Sequence, residues 1–147
     1  HMTPLIRPAK KEDTTALVNL CAILGYQVTP KDMTERFALV INSPHHRVLV
    51  AEINQQVMGF IHIFVKTLLE SPVAGEIGAL VVDPNLQGQG VGKMLVQAAE
   101  SWAKSNACQR LVVKSNVMRP SAHAFYQAIG YNISKRQVVF EKNIPSK

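Results

Sequence analysis

The chain has 147 residues, a formal net charge of +6, and 47% hydrophobic against 18% charged residues. That suits one soluble domain with a single sizeable core. It contains no apolar run long enough to span a bilayer and no signal-peptide pattern, so a cytoplasmic chain with no membrane partner is expected.

His1 ahead of Met2 reads as a cloning remnant, which sets the expected domain at residues 2–147. Cys21 and Cys108 stand at no metal-ligand spacing and read as reduced, small hydrophobes. The basic residues are scattered, with no run beyond Lys10-Lys11. Such a distribution argues against a nucleic-acid stripe and suits a polyphosphate ligand.

In chain order, Leu5 to Pro8 reads as a short strand. Leu17, Leu20, Cys21 and Leu24 form a helical stripe within Lys11 to Leu24, stopped by Gly25. Thr29-Pro30 is a cap followed by a first-turn proline, and Met33, Phe37, Val40 and Ile41 mark a second helix ending at Ser43-Pro44. Arg47 to Ile53 and Gln56 to Lys66 are β-rich runs around Asn54-Gln55, a hairpin signal. A loop follows from Thr67 to Gly75, then an apolar strand from Glu76 to Val82.

Val91 to Ser105 carries apolar residues at helical spacing (Val91, Met94, Leu95, Ala98, Ala99 and Trp102). Arg110 to Lys114 reads as a strand, Pro120 to Ile129 as a helix closed by Gly130, and Tyr131 to Ile133 and Gln137 to Lys142 as two final strands. The order is βααβββαβαββ, an α/β (α+β) mixed sheet. Its strand–helix–strand unit from Glu76 to Lys114 requires a right-handed crossover and a parallel pair.

Between that strand and the Val91 helix lies Asp83-Pro84-Asn85-Leu86-Gln87-Gly88-Gln89-Gly90-Val91-Gly92-Lys93. Unpaired N–H groups and partial positive charge at a helix start attract an anion, and glycines let backbone amides approach phosphate oxygens. Lys93 in the first turn opposes the helix dipole, which a nearby anion would explain. Walker spacing would need glycine at Gln87 and Ser or Thr at Met94. The glycines run G-x-G-x-G, unlike the dinucleotide fingerprint.

The loop resembles Gln/Arg-x-x-Gly-x-Gly/Ala, the pyrophosphate loop of GNAT acetyltransferases. Ser115-Asn116, Ala122, Phe125-Tyr126 and Gly130-Tyr131 resemble the family's second signature, with a longer asparagine-to-alanine interval. That longer form, with Ala122-His123, is similar to a subgroup including aminoalkylphosphonate N-acetyltransferases. The resemblance covers essentially the whole chain and is strongest from Gly75 to Tyr131. It implies the GNAT fold, with splayed parallel strands forming an acetyl-CoA cleft. It also implies that Leu80, Val81 and Val82 pair with the pantetheine arm, that Gln87, Gly88, Gln89, Gly90, Val91, Gly92 and Lys93 hold the pyrophosphate, and that Asn116 reaches the pantetheine. Arg119 or Lys104 would meet the outer phosphates.

Acetyl transfer to an amine needs a proton acceptor, a donor to the carbonyl oxygen, and an acid for the departing thiolate. By resemblance Tyr126 is the proton donor to sulfur, a phenol being within about two pKa units of a thiol. Glu76, opening the strand before the glycine loop, is the base, acting directly or through water, with burial making it a better acceptor. The Val82 N–H is the implied oxyanion donor. Relatives with a second acidic residue near the strand centre differ from this chain, which has Gly78-Ala79, so a carboxylate pair or metal-assisted arrangement is not expected.

Of the histidines, His45-His46 read as a solvated loop, His62 as a strand-face residue able to face the acceptor, and His123 as the subgroup's Ala-His position. No histidine and carboxylate cluster forms a metal site, and no metal is expected.

The expected function is acetyl-CoA-dependent acetylation of a small-molecule primary amine. The acceptor side is assigned to Tyr26, Arg36, His62 and Glu70; Arg36 suits a phosphonate or carboxylate and Glu70 a polyamine. The alternatives are a protein lysine or N-terminal acetyltransferase, a non-catalytic acyl-CoA sensor, and a basic nucleic-acid-binding domain. Sheet edges in such folds also leave room for a homodimer.

Overall fold

The structure, a computed structural model, describes residues 3–114 and 120–146. These fall into two compact units divided after Lys114. The first holds a five-stranded sheet in sequential order: β1 (Leu5–Pro8), β2 (His46–Ile53), β3 (Gln56–Lys66), β4 (Ala74–Val82) and β5 (Arg110–Val113). Neighbours from β1 to β4 are antiparallel, while β4 and β5 are parallel. That parallel pair is bridged by helix α3 (Val91–Ser105), as a strand–helix–strand crossover requires.

Local chemistry fixes the elements. Asn54 and Gln55 both take positive φ, 51° and 64°, so a two-residue turn closes the β2–β3 hairpin with Ile53 opposite Gln56. Helices α1 (Thr14–Ile23) and α2 (Pro30–Ile41) precede the hairpin, with a short 3-10 turn at Lys11–Asp13 before α1. The Thr29 hydroxyl accepts from the Asp32 N–H at 3.1 Å and caps α2. Arg7 on β1 bridges Asp13 at 2.8 Å and Glu52 on β2 at 3.0 Å. This paired cation pulls the Asp13 carboxyl below its ordinary value and ties the edge strand to the turn before α1.

The two faces of the sheet are distinct. Leu17 and Leu20 of α1 and Phe37 of α2 join Val50, Phe60 and Val81 in one core cluster. On the other face, a methyl placed at Gly59 or Gly75 would meet Leu95 or Ala103 of α3. Helix α3 buries Val91, Leu95, Val96, Ala99 and Ala103. The buried stripe is therefore rotated slightly from the expected one, with Trp102 and Met94 at its half-buried margin. Cys21 and Cys108 are free and half-buried.

The second unit contains helix α4 (Pro120–Ala128). Phe125, Tyr126 and Tyr131 make edge-on ring contacts there, 5.1 and 5.8 Å between centroids, and the Tyr131 N–H donates to the Tyr126 carbonyl at 2.9 Å. The expected strands at Tyr131 to Ile133 and Gln137 to Lys142 are not formed among the described residues. Val138, Val139 and Phe140 stand exposed. Strand propensity reflects packing on a neighbour more than an intrinsic backbone preference, and these side chains have no such support.

Candidate active site

Strand β4 outruns β5. The parallel ladder covers Ala74 to Ile77 and ends there, so Gly78 to Val82 have no β5 partner and the sheet opens along that edge. The same point carries a bulge: His62 pairs with Ala79 and Ile63 with Ile77, leaving Gly78 as the extra residue. Expected residues Leu80 and Val82 are half-buried on this open edge, while Val81 is in the core.

The edge leads into the glycine loop. A 3-10 turn at Pro84–Leu86 follows β4, fixed by Asp83 Oδ1 accepting from the Asn85 N–H at 2.9 Å, with Leu86 buried beneath it. Gly88 and Gly90 have φ of +82° and +81°, and a Cβ at either would meet nothing within 4 Å. Glycine is required there by the left-handed backbone alone. Gly90 is the N-cap of α3.

Gln87 and Gln89 donate within the loop, to the Pro84 and Leu86 carbonyls at 3.3 and 3.4 Å. The N–H groups of Gly88, Gly90, Val91, Gly92 and Lys93 have no backbone acceptor among the described residues. Thus five of the seven expected phosphate-binding positions present a free amide. The other two do not, because the 3-10 turn uses theirs.

On the sheet face toward α1 and α2, below the bulge, Glu76 is buried and lies directly opposite Phe64. Its Oε1 accepts from Lys66 Nζ at 3.1 Å, and Lys114 Nζ lies 3.8 Å from Oε2. The carboxylate is therefore not alone on an apolar strand, as the sequence suggested. His62 sits on the same face as Phe64, and its Nε2 is 2.9 Å from Nδ1 of His46. The two imidazoles stack, and His46 also stacks on Phe64. Burial, then the neighbouring His46, lowers the His62 pKa to about 4. His46, expected in a solvated loop, instead opens β2 and is half-buried. The bulge inside the hairpin sets the ladder that brings it diagonal to His62.

Tyr126 lies on α4, where burial raises its hydroxyl pKa to about 12. Tyr26 is exposed just after α1, Arg36 is exposed on α2, and Glu70 is in the exposed β3–β4 loop. Neither Arg36 nor Glu70 is brought to the bulge by a described contact. Asn116 and Arg119 lie outside the described residues. Sequence reasoning missed Lys66 and Lys114 as partners of Glu76. Counting outward from Asn54-Gln55 would have put Lys66 at the far end of the hairpin near the start of β4.

The sequence matches the Acetyltransferase (GNAT) family over residues 13–131. It is 30% identical over 131 residues to an aminoalkylphosphonate N-acetyltransferase of Salmonella typhimurium, covering 88% of this chain and 85% of that one. It is 30% identical over 143 residues to an aminoglycoside N(6')-acetyltransferase type 1 of Stenotrophomonas maltophilia, covering 93% and 92%. The fold matches a solved aminoglycoside N-acetyltransferase, AAC(6')-Iy in complex with CoA, with a TM-score of 0.89 at 16% identity over 98% of this chain and 97% of that one. With the family matched over most of its length and the fold agreeing, this chain is a member of the GNAT acetyltransferase family.

Proposed function

We propose that this enzyme transfers the acetyl group of acetyl-CoA to a primary amine of a small molecule. The carrying observation is the row of free amides at the start of α3, Gly88 and Gly90 to Lys93, at the end of the strand edge that β5 leaves open. A helix start with unpaired amides suits a diphosphate. An open strand edge suits an extended chain of amides, which adds to a sheet as a strand would. Acetyl-CoA fits both and supplies the activated acetyl thioester.

In this reading Gly88, Gly90, Val91, Gly92 and Lys93 hold the diphosphate, with Gln87 and Gln89 shaping the loop through the turn bonds of their backbone amides. Leu80, Val81 and Val82 line the pantetheine arm, with the Val82 N–H as oxyanion donor and Asn116 as a further contact. Glu76 draws the acceptor's ammonium to its face and is the first assignment as base. Tyr126 delivers a proton to the departing sulfur. Tyr26, Arg36, His62 and Glu70 remain the acceptor-side assignments.

Relatives named for aminoalkylphosphonates and aminoglycosides support a small amine acceptor. The test is calorimetry of CoA against ATP and NAD, followed by a thiol-release screen of amines with acetyl-CoA. Absence of CoA heat from folded protein would overturn the cofactor, and thiol release with a lysine peptide but no small amine would overturn the acceptor class.

A further inference from the structure

Glu76 lies on the face proposed for the acceptor, but Lys66 and Lys114 already stand at its two oxygens. Another nitrogen on this face is better placed to receive a proton. A methyl at Gly78 would come within 3.0 Å of His62 Nδ1, so that ring nitrogen lies over the bulge, where β4 parts from β5. Gly78 is exposed, and among the described residues nothing bonds His62 Nδ1. The other ring nitrogen, Nε2, is held by His46 at 2.9 Å. We propose that His62 Nδ1 is the immediate acceptor of the amine's proton and that His46 is the positioning residue that fixes its tautomer and takes up the charge. This rests on the acetyltransferase reading above and refines its assignment of the base.

An N–H bond of the substrate ammonium breaks, and its proton adds to the lone pair of His62 Nδ1. The His62 Nε2–H passes to His46 Nδ1 along the 2.9 Å hydrogen bond. The amine keeps its electron pair, and the positive charge rests on His46. After the products leave, the reverse double hop returns the proton from His62 Nδ1 to water. Burial explains why the second ring is needed: His62 is disfavoured as a resting cation, and a base of such low pKa is poor by itself. His46 lines a cleft with Pro44 and Arg47, where its charge can be solvated. The charged groups near the pair are Arg47, which lines the same cleft as His46, and, one cross-strand pair along the same face, Glu76 with Lys66 and Lys114.

Two measurements test this. Nitrogen-15 NMR of the imidazoles in the free protein should show His62 neutral, protonated at Nε2 and bare at Nδ1, with that tautomer preference weakened in His46→Phe. A His62 protonated at Nδ1 would overturn the proposal. In thiol release from acetyl-CoA with an aminoalkylphosphonate or an aminoglycoside, whichever wild type acetylates faster, His46→Gln should lower kcat about tenfold or more with CoA affinity kept. It should also move the acidic limb of the pH–rate profile. His62→Ala should lose more and regain part of its rate with added imidazole.

Full rate and an unmoved profile in His46→Gln would overturn the relay. Loss confined to Glu76→Gln, with His62→Ala active, would return the proton to Glu76. Wild type that binds no CoA and releases no thiol would overturn the acetyltransferase reading itself, an outcome distinct from either.

Discussion

Lys66 Nζ lies 3.1 Å from Glu76 Oε1, joining the end of β3 to the start of β4 across a cross-strand neighbour. Glu76 is buried, so removing its nearest cation leaves a desolvated carboxylate with only the more distant Lys114. Lys66→Met should therefore cost about 1–2 kcal/mol in urea unfolding. The double substitution Lys66→Met with Glu76→Gln should recover part of that loss, because the two sites couple. Additive losses would show that the pair contributes nothing jointly.

The elements built on local chemistry were legible in the sequence. Asn54-Gln55 gave the hairpin, Thr29-Pro30 the start of α2, and the apolar spacing from Val91 to Ser105 the whole of α3. The strand-to-loop-to-helix passage around Gly88 and Gly90 was also readable, because positive φ demands glycine. The charge partners were harder to see. Lys66 could be placed only by counting register out from the hairpin turn, and Lys114 reaches Glu76 through tertiary packing that no local pattern marks. His46 was misread because solvated loop and strand start look alike until the bulge at Ala51/Glu52 is known. The strands expected after Tyr131 failed for the converse reason: β-branched residues there suit a sheet, but a strand needs a partner to pack on.

Substitutions at Gly90 separate backbone strain from charge. Its φ is +81° and a Cβ meets nothing within 4 Å, so Gly90→Ala should cost about 1–2 kcal/mol from the left-handed backbone alone. Gly90→Asp adds a negative charge where a diphosphate is to bind. Calorimetry should find CoA affinity reduced far more by Asp than by Ala. Equal losses would mean that the loop's conformation matters there and anion binding does not.

His62 links stability to mild acid. Its folded pKa is about 4 against an ordinary 6.5. Between those values the unfolded chain takes up a proton that the folded chain refuses. The contribution is complete above about pH 6.5 and is lost as pH falls toward 4. Urea midpoints measured from pH 7 to 4.5 should decline in wild type and decline less in His62→Phe, which keeps a ring against Phe64. The Arg7–Asp13 pair belongs to a lower window, since the Asp13 pKa is already below 3.8. Parallel declines in the two proteins would assign the slope to another group.

Tyr126 acts at the opposite end of the pH scale. Its hydroxyl is raised from 10.0 to about 12 by burial, so the folded protein holds a proton that the unfolded chain releases. Stability should fall as pH climbs from about 10 toward 12, and Tyr126→Phe should abolish that part of the slope. The same shift bears on its proposed role. A phenol this weak keeps its proton throughout the neutral range and passes it to a thiolate only uphill, so the donation depends on direct contact with the sulfur. Tyr126→Phe should then lower kcat by about a hundredfold, within the range of a positioned acid, while CoA affinity stays near normal. Any fall in wild-type rate below pH 10 should persist in the variant, because Tyr126 is not ionising there. A variant with unchanged kcat would remove Tyr126 from the chemistry, and one that lost CoA affinity in equal measure would make it a packing residue of α4.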